Sequence, residues 1–267
     1  MVIYWSEEST KTMPDNIHGK KRKVSVKFKT LYLSVTSAEA EMRLGFRLQL
    51  LRGRPVHKKL AGAETMFGKD TVRETKEKGY NRILEHLTVE GYPTEADSDL
   101  KQVNVDHLVY TIIVPVLNDF IRRTGRKDIQ LKCEKEIIST DSETGGEEEF
   151  VVVDMISVSQ ENFIFVVESK RSSVGKAMRQ CLLAMKDMRD NNGDGKVYGF
   201  VTTGENWQML EYDGTSFRMS ESIAVIFGSM DEDKQRWLDS SSCLVGCVYF
   251  ALSNGGIVKE MVVQVLF

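Results

Sequence analysis

The chain predicts an α/β fold: a central mixed sheet flanked by helices. Three observations carry this. Phe150–Val158 and Phe163–Val167 are short apolar, β-branched runs around a polar turn, Gln160-Glu161-Asn162, which reads as a β-hairpin. Apolar stripes at helical spacing stand on either side of that hairpin, over 105–123 and 176–190. Two further strand-like runs, 197–202 and 207–212, follow the second stripe.

Composition sets the class. The 267 residues are 41% hydrophobic and 28% charged, which is ordinary for a water-soluble globular chain. The formal net charge is −3, so nucleic-acid binding needs a local basic patch rather than a global one. Cys133, Cys181, Cys243 and Cys247 form no CxxC pair, and buried free thiols in a reducing compartment fit better than zinc or disulfides. The start MVIYWSEEST is not a signal peptide, and no apolar run is long enough to span a membrane.

The first hundred residues read as an α/β extension. Its basic run Lys20, Lys21, Arg22 and Lys23 is a candidate nuclear-import signal or phosphate contact beside the plainer reading of a solvated charge run. Lys23 to Val35 alternates as a strand. Ser37 is placed as the N-cap of a helix over 40–51, and 52–59 is a basic segment around Pro55. Tyr80, Ile83, Leu84 and Leu87 stripe a helix over 71–89. A turn or linker over 91–98 sets the boundary near residue 100, giving units 1–100 and 101–267.

In the second unit the helix over 105–123 carries Pro115, read as a kink, and is ended by Gly125. A strand over 129–138 and a loop over 141–146 lead to the hairpin. Asp190–Gly195 imitates the start of an EF-hand, but Val201 stands where the bidentate Glu is needed, so the segment reads as a turn. An amphipathic helical stretch from Met230 to Leu252 is expected to face Trp237 inward, and 258–267 is strand-like.

The hairpin holds the candidate site. A three-residue loop at 160–162 would pair 159 with 163 and set Asp154 opposite Glu168, with Cβ atoms roughly 5 Å apart. Lys170 shares the face of Glu168 because strand side chains alternate. Two carboxylates that close repel by about 3 kcal/mol at an effective dielectric near 20. A proton, Lys170 or a divalent cation must answer that charge, and hard oxygen ligands suit Mg²⁺ or Mn²⁺. A one-residue change of loop length would send Asp154 to the other face, and the plain alternative is a salt-bridged strand end.

Asp154, followed fourteen positions later by Glu168-Ser169-Lys170 at a strand end, resembles the motif of the PD-(D/E)xK nuclease superfamily, with Val153 where Pro often stands. The order helix, three strands, helix, two strands over 104–212 is similar to that superfamily's restriction-endonuclease-like αβββαβ core. Gln180 resembles the glutamine many members carry on the following helix. The Trp-bearing tail is similar, in general pattern, to nuclease-like C-terminal domains of crinkler-type effectors.

The resemblance implies a metal-dependent nuclease, a hydrolase acting on DNA phosphodiester bonds with RNA possible, and leaves endonuclease and exonuclease both open. Asp154 and Glu168 would bind Mg²⁺ or Mn²⁺, Lys170 would position water, and Gln180 would orient water or phosphate. Asp106, Asp119 and Glu134 are candidates for a further acid. The 20–29 and 52–59 segments would supply backbone contacts. The alternative is a catalytically inactive nuclease-fold module that binds nucleic acid or a protein partner.

Overall fold

The computed structural model describes residues 27–93, 100–172 and 174–257. The Lys20–Lys23 run and the strand-like 258–267 lie outside the described residues. The chain runs β1 (Thr30–Leu31), α1 (Ser37–Leu44), β2 (Gly53–Arg54), α2 (His57–Phe67), α3 (Lys69–Glu90), α4 (Gln102–Thr124), β3 (Ile129–Ile138), β4 (Thr144–Met155) and β5 (Glu161–Ser169). It continues with α5 (Val174–Asn192), β6 (Val197–Thr202), β7 (Asn206–Tyr212), β8 (Phe217–Ser220), β9 (Ile223–Ala224), α6 (Lys234–Arg236) and α7 (Cys243–Asn254).

All nine strands among the described residues join one mixed sheet. β3, β4 and β5 form an antiparallel meander, β6 lies parallel to β5 and β7 antiparallel to β6. The parallel step needs a crossover, and α5 supplies it. Both faces of the sheet are covered, so the central strands read as continuous apolar runs rather than alternating ones. Val152, Phe165, Tyr198 and Phe200 pack under α4 and α7 with Ile112, Phe120 and Tyr249. Val151, Val153, Val166 and Leu210 pack on the other face against Ala177, Cys181 and Met185 of α5. The helix comes close to the sheet at Gly199, where an added Cβ would lie 2.5 Å from Met185 Sδ and 2.6 Å from Cys181 Sγ.

The stripe in α4 faces inward, with Leu108, Ile112, Ile113, Val116 and Phe120 buried. Pro115 lies inside the helix, which continues on both sides, and Gly125 ends it at φ 70, a left-handed cap. Trp237 is buried as expected and donates to the Val225 carbonyl at 2.9 Å.

The described part of the first hundred residues shares the sheet with the rest. β1 pairs with β4, β2 pairs with β8, and α3 packs along α4. Within the described part of 23–35, only Thr30–Leu31 is strand, and a 3-10 turn follows. The first helix is shorter than its pattern suggested. Thr36, not Ser37, caps it through a capping box with Glu39, and Gly45 at φ 76 stops it. Among the described residues, no helix is long and apolar enough to cross a membrane.

Candidate functional site

The hairpin register differs from the one expected. β4 and β5 are joined by a five-residue loop, 156–160, closed by Ile156 N–H and Ser157 N–H donating to the Gln160 carbonyl. Ile156 and Val158, which look like strand residues, are 50% and 102% exposed on that loop. A bulge between Val152 and Val153 shifts the pairing by one more residue. Asp154 therefore pairs with Asn162, not Glu168. It is buried at the far end of β4, where Arg126 Nη2 meets its Oδ2 at 2.8 Å. The placement of Asp154 beside Glu168 is corrected by this register.

Phe150 pairs with Val167, and one step further the same register sets Glu149 opposite Glu168. Glu148, Glu149 and Glu168 bring carboxylate oxygens within 4.8 Å of one another. The β3–β4 ladder is interrupted at this point. Between the pairs Cys133–Phe150 and Lys135–Glu148 stands Glu134 at φ 50, a left-handed conformation that costs an L-residue about 1–2 kcal/mol.

Lys170 leaves β5 on the same side. Its Nζ lies 2.7 Å from Glu168 Oε1 and also pairs with Glu149. Gln180, on the buried side of α5, donates from Nε2 to Glu148 Oε1 at 3.3 Å. Glu168, Lys170 and Gln180 thus converge, and the acids facing them are Glu148 and Glu149.

Three carboxylates against one ammonium leave a formal excess of two negative charges. Burial, and then Glu148 and Glu149, push the Glu168 carboxyl far above the ordinary glutamate value. Burial raises Glu148 too, against its hydrogen bonds with Glu168 and Gln180. Burial also opposes the charge on Lys170, but Glu168 and Glu149 outweigh it and hold that pKa above the usual lysine value. Cys181 beneath the cluster is raised by burial and then by the same carboxylates, so it remains a thiol.

Among the described residues, nothing donates a hydrogen bond to the buried Glu148 Oε2, Glu149 Oε2, Glu168 Oε2 and Gln180 Oε1. Buried oxygens left this way cost about 1–3 kcal/mol each, more when charged. An all-oxygen, carboxylate-rich set of this kind fits a hard divalent cation such as Mg²⁺ or Mn²⁺.

The other candidate acids go elsewhere. Asp106 accepts from Gln102 and Ser169 Oγ. Asp119 sits in a separate buried network. Burial opposes its charge there, but hydrogen bonds from Tyr249, Arg123, Thr75 and Arg122 outweigh it and hold the carboxyl well below the usual range. Glu134 is exposed beside the cluster. The proposed basic contacts are partly engaged inside the molecule: Lys27 and Lys29 pair with Glu136 and Glu143, and Lys59 with the largely buried Glu211 at 2.7 Å.

No protein-family model matches the chain. No curated protein matches it at a significant level. Glu147-Glu148-Glu149 runs directly into the apolar strand, and that was the signal for the cluster: strand-borne acids at the base of the hairpin, one of which a longer loop sets opposite Glu168.

Proposed function

We propose that this protein is a metal-dependent nuclease hydrolysing DNA phosphodiester bonds, built on a restriction-endonuclease-like core formed by α4, β3, β4, β5, α5 and β6. One observation carries the reading: Glu148, Glu149 and Glu168 converge with Lys170 where β5 leaves the sheet. The choice of DNA over RNA rests on the PD-(D/E)xK resemblance.

Glu148, Glu149 and Glu168 would hold Mg²⁺ or Mn²⁺. When bound, the ion supplies Lewis-acid stabilisation of a phosphoryl oxygen and lowers the pKa of a nearby water. Lys170 Nζ donates to the attacking water or to the phosphoryl oxygens as their charge grows. Gln180 holds Glu148 through Nε2 and offers its unpartnered Oε1 to a proton of that water. Asp154 has no part in the chemistry; it anchors the loop after α4 through Arg126.

The inactive-module reading has one observation in its favour. Lys170 is already engaged by two carboxylates, as a purely structural ion pair would be. Plasmid, single-stranded DNA and RNA are each incubated with the protein in Mg²⁺, Mn²⁺ or EDTA. Cleavage of DNA that requires the metal supports the nuclease. Binding without cleavage in any of the metals moves the protein to the inactive module.

A further inference from the structure

Glu168 pairs with Val201 on β6, and Val201 with Gln208 on β7, so the three form one row across the sheet and share a face. Two strand spacings put Gln208 about 10 Å from Glu168, backbone to backbone. Beside that row, a cleft of ≈ 100 Å³ is lined by Val174, Val201, Thr202, Thr203, Asn206, Gln208 and Ser222. It adjoins the acidic cluster directly, since Lys170 N–H donates to the Thr202 carbonyl at 3.0 Å.

The lining mixes two valines with uncharged polar side chains and carries no charge. The hydroxyls of Thr202 and Thr203 are engaged by the turn at Gly204–Asn206. The side chains of Gln208, Asn206 and Ser222 make no hydrogen bond among the described residues. Unspent amides in an uncharged cleft do not suit a phosphate or a metal ion. They suit a planar group with adjacent donors and acceptors, and Gln and Asn amides pair in this way with the N6/N7 edge of adenine. The cleft has room for the edge of a base but not for a whole nucleotide. At about 3.4 Å of rise per base, it lies within roughly three base steps of the acidic cluster.

We infer that this cleft reads a base close to the cleaved phosphate, with Gln208 as the principal contact, Asn206 as its neighbour and adenine as the preferred base. The inference rests on the nuclease reading of the adjoining cluster. Gln208 is half-buried and Asn206 exposed on β7, so truncating either leaves the core intact.

The test uses a pool of oligodeoxynucleotides randomised around one position, cleaved in Mn²⁺ by wild type, Gln208→Ala and Asn206→Ala. Products are sequenced, and melting curves confirm that the variants are folded. Wild type should favour adenine at one fixed distance from the cut by roughly five- to hundredfold. Gln208→Ala should lose that bias while still cleaving the pool, and Asn206→Ala should weaken it. An unbiased wild type, or an unchanged bias in folded Gln208→Ala, overturns the inference and leaves the nuclease standing. If wild type cuts nothing, the nuclease reading fails. The same oligonucleotides are then compared by fluorescence anisotropy in EDTA, where loss of an adenine preference on Gln208→Ala upholds base reading and its absence refutes it.

Discussion

Replacing Glu148 by Gln should make the metal-free protein more stable, although it removes a fully buried native side chain. Carboxylate oxygens of Glu148, Glu149 and Glu168 lie within 4.8 Å of one another. At an effective dielectric near 20, each ionised pair at that distance costs about 3.5 kcal/mol. The folded protein limits this cost by binding a proton. Holding a glutamate protonated at pH 7, against an ordinary value near 4.3, costs about 3.7 kcal/mol, which sets a ceiling on what the substitution can relieve. The Gln180 Nε2 bond to Glu148 Oε1 survives, because an amide oxygen accepts as well as a carboxylate oxygen. A net gain of about 2 kcal/mol is expected, equivalent to roughly 4–8 °C in Tm for a chain of this size. Differential scanning calorimetry in EDTA reads it. The same scans with Mn²⁺ should reverse the order. Wild type gains about 2.7 kcal/mol at a hundredfold excess of metal over Kd, while the variant, short of one ligand, gains much less. A variant that melts below wild type in EDTA, with neither protein responding to Mn²⁺, would refute the charge-strained site.

Further outcomes follow from the same geometry. Asp154→Asn should lower stability by about 3 kcal/mol, because it strips a buried carboxylate from Arg126, and it should leave the Mn²⁺-induced gain intact in thermal melts. Folding raises the carboxyl values of Glu168 and Glu148, so the native apo protein binds more protons than the unfolded chain. That contribution is fully present below about pH 4.3 and is lost as pH rises towards neutrality. The stability gap between Glu148→Gln and wild type should therefore widen from pH 5 to pH 8 in urea titrations in EDTA. His86, whose value burial lowers, titrates alike in both proteins and cancels. Lys170→Ala should abolish cleavage in a plasmid assay while Mn²⁺ binding, read by calorimetric titration, is kept or strengthened, since the carboxylates hold the ion.

Much of the framework was legible because it depends on local periodicity. The stripes of α4 and α5, the runs of β3, β6 and β7, and the left-handed stop at Gly125 are each written in neighbouring residues. Glu168 and Lys170 share a side because a strand alternates, whatever it pairs with. The acids opposite them depend on register, and register depends on loop length. Ile156 and Val158 carry strand chemistry but stand exposed in the loop, while Gln160-Glu161-Asn162, which looked like the turn, straddles the loop's end and the start of β5. The partner that draws Asp154 away, Arg126, lies 28 residues earlier, beyond the reach of any local pattern. β1 and β2 are two-residue strands set by the edges they pair with, and two residues carry no period.

The most direct test of the site compares wild type, Glu168→Gln and Asp154→Asn on supercoiled plasmid in Mn²⁺, each below its own melting temperature. The register seen here predicts that wild type and Asp154→Asn cleave and Glu168→Gln does not, with no cleavage by any of them in EDTA. Cleavage that survives Glu168→Gln but is lost in folded Asp154→Asn would contradict the assignment of the site to Glu148, Glu149 and Glu168.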